Sequence, residues 1–243
     1  ALVVEELQSN SRETESAEQI VQVGTIAANG DALVGELLSE GFQKVGRDGV
    51  IVLEEAQGLD TEIELIEGLE YDQGWFSPAF CTDYARGETI YQAQGEDDFI
   101  YVLLAERRVT ARDLVGPLQA ALNSGKPILV IAKDMADDAK NTLILNRLKQ
   151  GLPIVATRAP GYGDRQSENL EDFAVATGGQ VVSERSNINW TNKEWEPVFG
   201  KVRKIVVRRD STVLIEGFGD PQVIENRANF IRQQIDEATR TNE

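Results

Sequence analysis

The 243-residue chain has no histidine, a single cysteine and no apolar run approaching the roughly 20 residues a membrane helix needs. The first absence excludes a histidine base, a Ser-His-Asp triad and any His-containing metal site, leaving carboxylates, Lys and Tyr as possible catalytic groups. Cys81 alone cannot form an internal disulfide and fits a reducing compartment; it receives no role. The N-terminal residues lack the basic and apolar regions of a signal peptide, so the expectation is a soluble protein with no address of its own. No internal repeat and no low-complexity linker occurs. No glycine-rich phosphate loop with Lys or Thr occurs either, and no acidic pair stands out as a Mg2+ site among 41 acidic side chains.

Basic residues are scarce where acidic ones are dense. The net charge is −17, and residues 1–100 hold 22 acidic against 4 basic side chains, whereas residues 101–243 hold 19 against 20. Nucleic acid or an anionic membrane as main partner would require clustered Lys and Arg, so neither is expected. An acidic surface also keeps a protein with exposed apolar patches in solution, although ordinary solvated surface accounts for it equally well.

What is present reads as an α/β chain, 41% hydrophobic and long enough for a sizeable core. Residues 1–8 enter a helical pattern with no cap, and the last helix meets no stop signal, so both ends are expected to be cuts in a longer chain. Helices are predicted over 16–28 and 31–45, a buried strand over 49–53 and a half-exposed one over 61–66. Short apolar strands at 99–104, 127–132 and 153–157 alternate with helices at 111–123, 136–150 and 165–177, the pattern of partly parallel strands joined by crossovers. Residues 181–182, 201–208 and 212–215 read as β, and Pro221 opens a long amphipathic helix with Ile224, Ala228, Ile231 and Ile235 on one stripe.

Two local features suggest function. The stretch 158–165 (RAPGYGDR) sets a tight strand-to-helix turn, which is a structural turn or, with Arg158 or Arg165, an anion cradle. The helices at 111–123 and 136–150 are apolar over more than one stripe. In the first, Leu114, Leu118 and Ala121 share a face while Val115 and Leu122 extend it; in the second, Leu143, Ile144 and Leu145 point in three directions. Either both helices are covered on two sides, or they expose an apolar groove for a partner.

Together with 158–165, the segments 23–29 (VGTIAAN), 48–54 (DGVIVLE), 67–78 (EGLEYDQGWFSP), 176–179 (ATGG) and 232–239 (RQQIDEAT) resemble, in order and spacing, the group I chaperonins of the GroEL family. The resemblance covers almost the whole chain. It implies an α/β GroEL-like apical domain, with mixed sheets flanked by helices, at 68–217. A helical/strand intermediate-domain segment at 1–67 and 218–243 would flank it, and the equatorial ATPase domain would be absent. Gly68 and Gly217, with Gly219, would mark the hinge between the two.

The function implied is binding of non-native polypeptide and of a GroES-like co-chaperonin lid through the two-helix groove and a nearby loop. Matched residue by residue, the loop gives Trp75, Ala79 and Phe80, the first helix Val115 and Leu118, and the second Lys140, Ile144, Leu145 and Asn146. No cofactor is expected in this fragment and no catalytic residue; ATP, Mg2+ and heptameric ring assembly would belong to the full-length protein, in the bacterial cytoplasm or an organelle matrix or stroma. Ala79 replaces an aromatic, Lys140 a leucine, and Gly116-Pro117 shifts a proline by one position. Residues 187–199, with Trp190, Trp195 and Pro197, follow no family pattern. These departures leave room for a dedicated single-partner module without general chaperone activity.

Overall fold

A run such as Ile100-Tyr-Val-Leu-Leu-Ala105, apolar at every position, suits a strand covered on both faces, and six consecutive residues of it are buried. The computed structural model describes residues 16–45, 68–95, 98–183, 186, 188, 190 and 194–241. The chain divides into two compact units, residues 1–66 and 67–243.

In the first unit, α1 (Ala17–Ala27) and α2 (Ala32–Val45) pack on each other. Ser16 caps α1 in a reciprocal capping box with Gln19, which satisfies two orphan N-terminal donors. The Ser39 hydroxyl donates to the Ala17 carbonyl at 3.2 Å, tying the C-terminal half of α2 to the start of α1. The strands expected at 49–53 and 61–66, and the helical entry at 1–8, lie outside the described residues.

The second unit is built on one mixed sheet. Its strands are β1 (Gly68–Tyr71), β2 (Thr89–Gln92), β3 (Ile100–Val109), β4 (Ile128–Met135), β5 (Ile154–Arg158), β6 (Val181–Val182), β7 (Gly200–Val207) and β8 (Thr212–Gly217). The main order is β1-β8-β7-β3-β4-β5, with β2 on β7 and β6 on β3. β3, β4, β5 and β6 pair parallel, while β1, β2, β7 and β8 pair antiparallel. The helices are α3 (Val115–Ser124), α4 (Asp137–Gln150), α5 (Asp164–Thr177) and α6 (Pro221–Thr241). Every strand predicted in the described part is present, with β3 and β4 each extended by several residues. β1 and β2 had no signal of their own, because four-residue edge strands are too short to show a period.

Strand order dictates which helices share a face. The steps β3 to β4 and β4 to β5 run the same way along the sheet, so right-handed crossovers set α3 and α4 side by side on one face. The return from β5 to β6 runs the other way and places α5 opposite, over β3, β6 and β7, with α6 packed on α5. The core lies between these layers.

α3 starts at Val115, four residues later than the apolar pattern suggests. Pro117 accounts for this: its ring would clash with the carbonyl four residues back, so it fits only the first turn. Asp113 fixes the preceding turn by accepting from the Thr110 amide at 2.9 Å and the Arg107 guanidinium at 2.6 Å.

Gly68 and Gly217 stand close together, since Gly68 pairs with Ile215 of β8. Both are needed for close backbone approach: a Cβ at 68 would overlap the Leu214 carbonyl oxygen, and one at 217 the Ala176 carbonyl oxygen. The two chain crossings expected at a hinge are therefore neighbours in one sheet.

Candidate functional site

The 158–165 stretch forms a turn whose carbonyls are taken by side chains of the helix that follows it. Gly161 and Gly163 adopt φ of 82° and 60°, a region that L side chains other than Asn and Asp seldom enter. Gln166, buried, donates to the Ala159 carbonyl at 2.8 Å, and Asn169 to that of Pro160 at 3.1 Å. Arg158 leaves the turn to face Asp134 at 3.7 Å and the Phe76 ring at 5.5 Å. The turn closes β5 onto α5; Tyr162 stands in solvent.

Most of the predicted binding residues are brought together on the other side. Segment 75–81 docks along β5 and α4: Trp75 forms an isolated bridge with Thr157, and the Phe76 amide donates to the Ala156 carbonyl at 2.9 Å. Arg147 of α4 donates to the Ala79 carbonyl and, at 3.1 Å, to that of Cys81, pinning the 3-10 turn Pro78–Phe80 to the helix. Lys140 lies 5.8 Å from the Phe76 ring and 3.1 Å from Asp137. Tyr91, beneath this turn, has its hydroxyl pKa raised by burial, with Arg147 partly offsetting the effect. Arg147 was missed by sequence reading, because one Arg on a helix gives no sign of which carbonyls it reaches.

Exposure sorts the nine residues. Val115 is 67% exposed and Leu145 49%. Trp75, Ala79, Lys140, Ile144 and Asn146 are half-buried, and the Asn146 amide is turned back to the Thr142 carbonyl at 2.8 Å. Phe80 is 0% exposed and Leu118 5%. These two side chains are core, which corrects their placement on a contact surface: Phe80 lies under the turn that Arg147 holds, and Leu118 shares the inward stripe with Leu114 and Ala121. Leu148, outside the predicted set, is 70% exposed one turn beyond Leu145 and continues its face. The turn before α3 meets the N-terminal end of α4, where the Ala111 amide donates to Asp138 at 3.3 Å.

A cleft of about 380 Å3 opens elsewhere on α3, between Gly116, Gln119, Ala120 and Asn123 on one side and residues 194–197 on the other. An aromatic ladder holds that turn: Trp190 to Trp195 at 5.7 Å, Trp195 to Phe199 at 6.1 Å and Phe199 to Tyr101 at 4.6 Å between ring centroids. The Val198 and Phe199 amides both donate to the Trp195 carbonyl. Tyr101 has its pKa raised by burial, partly offset by a hydrogen bond with Ser124, and the Glu196 carboxylate pushes it further up. A Cβ at 116 would collide with Trp195 Nε1, so the shifted Gly116-Pro117 and the divergent Trp195 are two halves of one contact. Sequence alone showed both as departures, but nothing joined them across 79 positions.

Among the described residues, no group of three His, Cys, Asp or Glu side chains is placed to hold a metal ion, and no helix is long and apolar enough to cross a membrane. No protein-family model matches the chain.

Proposed function

We propose that the 67–243 unit is a polypeptide-binding domain of the apical type, and that α3, α4 and the docked 75–81 segment form the surface that takes apolar stretches of non-native chains. The carrying observation is that Val115, Leu145 and Leu148 all stand in solvent on helices of the same sheet face. Burying one such side chain would return about 1.5–3 kcal/mol, so leaving three exposed forgoes stability that a bound partner can recover. Such a surface is greasy and unspecific, as a site for many unfolded sequences must be.

The GroEL-family resemblance extends the proposal to a GroES-like lid competing for the same residues, and to an intermediate-domain role for the segment before Gly68. ATP, Mg2+ and ring formation would belong to parts of a longer protein, in a bacterial cytoplasm or an organelle matrix. The burial of Phe80 and Leu118 narrows the surface and favours, as a second reading, a module dedicated to one partner.

Dilution of a chemically unfolded, unrelated protein tests the first reading. The wild type should suppress aggregation, and a Val115→Glu/Leu145→Glu/Leu148→Glu variant with unchanged circular dichroism should not. Failure of the wild type to suppress would exclude general binding and leave the single-partner reading, which a screen of one peptide against its scrambled forms then decides.

A further inference from the structure

We propose that the cleft between α3 and residues 194–197 seats a basic side chain, Arg or Lys, of a polypeptide held on the adjoining apolar surface, so that this chain prefers apolar segments carrying a positive charge; this rests on the polypeptide-binding reading above. The cleft, about 380 Å3, falls at the lower end of the roughly 300–1,000 Å3 typical of ligand pockets. Gly116, Ala120 and Pro197 offer apolar wall for a methylene stem, and Glu194 and Glu196 supply negative charge for its head. Among the described residues, no Lys or Arg lines it.

A second observation, independent of the carboxylates, points to an occupant. Trp195 is 2% exposed, and its indole N–H has no acceptor among the described residues, whereas a buried indole N–H ordinarily has one. The donor lies against Gly116, where the absence of a side chain keeps the cleft floor open beside it. A peptide carbonyl entering over Gly116 provides the acceptor that the fold does not. Gly116 directly follows the exposed Val115, so the cleft and the Val115 face lie on the same turn of α3, about 100° apart around its axis.

Two labelled apolar peptides, identical except for a central arginine or its neutral isostere citrulline, separate the possibilities by fluorescence anisotropy at physiological salt. The wild type should bind the arginine peptide about five- to tenfold more tightly, the size of one partly desolvated charge-assisted contact. Glu194→Gln/Glu196→Gln should abolish that preference and leave the citrulline peptide's affinity unchanged, while the uncharged Val115→Asn weakens both peptides alike. Equal binding of the two peptides by the wild type overturns the proposal and spares the polypeptide-binding reading. So does a preference that survives in the double Gln variant, which retains most of the net charge and would then owe its selectivity to the overall field. If neither peptide binds, both readings fall.

Discussion

α4 and α5 are both 14 residues long, both follow a parallel strand, and both end at a left-handed glycine, Gly151 and Gly178. They meet solvent in opposite ways. α5 buries Gln166, Leu170, Phe173 and Thr177 and turns Asp164, Arg165, Glu168 and Glu171 outward. Phe173 packs on Tyr71 at 5.0 Å, and Asp172 holds Arg227 of α6 at 2.7 Å, so the helix is covered on two sides. α4 buries only Ala139 and Leu143 within its span and leaves Leu145 and Leu148 in water. Two helices of equal length on one scaffold thus show that an apolar outer face is not imposed by the fold; it is a property of the α4 side.

The largest effects should come from the inward positions of both helices. Phe173→Ala is expected to lose about 3–5 kcal/mol and Leu143→Ala about 2–5 kcal/mol in urea denaturation, whereas Leu148→Ser should stay within about 0.5 kcal/mol. A Leu148→Ser variant as unstable as Leu143→Ala would mean that this leucine is packed, and the contrast with α5 would disappear.

An intermediate effect is expected where α4 grips its neighbouring turn. Arg147→Ala leaves the Ala79 and Cys81 carbonyls without their donor, at a cost of about 1–3 kcal/mol. Cys81, now buried, should then react faster with a thiol reagent. Unchanged thiol reactivity would show that the turn is held by Phe80 in the core and not by the arginine.

The smallest effect concerns the far end of α3, where Lys126 meets Asp98 at 2.8 Å. The Lys126 hydrogen bond, aided by the Gln94 amide, lowers the Asp98 pKa from 3.8 to about 2. A carboxylate depressed in the folded state adds stability above its unfolded pKa and loses it as pH falls through the folded one. This contribution should therefore fade between about pH 4 and 2, slightly, because the pair is partly solvated. Asp98→Asn should flatten the acid limb of the stability curve in that window, and an unchanged limb would remove the bridge from the anchoring of α3.

The alternation of apolar strands and helices from residue 99 to 177 was legible because buried parallel strands are apolar at nearly every position and their helices are not. Leu118 is instructive: its spacing put it on one stripe with Leu114 and Ala121, the family resemblance implied a contact role for it, and in the structure it is buried with that stripe. Val115, one residue beyond Leu114, was readable as off the stripe for the same reason. Phe80 gave no such sign, because a 3-10 turn of three residues has no face to count.

The sequence by itself determined the α/β order, the turn at 158–165, the excess of apolar residues on the third and fourth helices, and the exclusion of histidine chemistry; each depends on residues near in the chain, whose periodicity or absence is visible in a line of text. Only the tertiary structure decided which leucines face water, that Arg147 reaches the carbonyls of a turn 66 and 68 positions away, and that Gly116 and Trp195 share one cleft. Those outcomes depend on strand order, which sets α3 and α4 on one face and brings distant segments within contact range, and strand order is written in no local pattern.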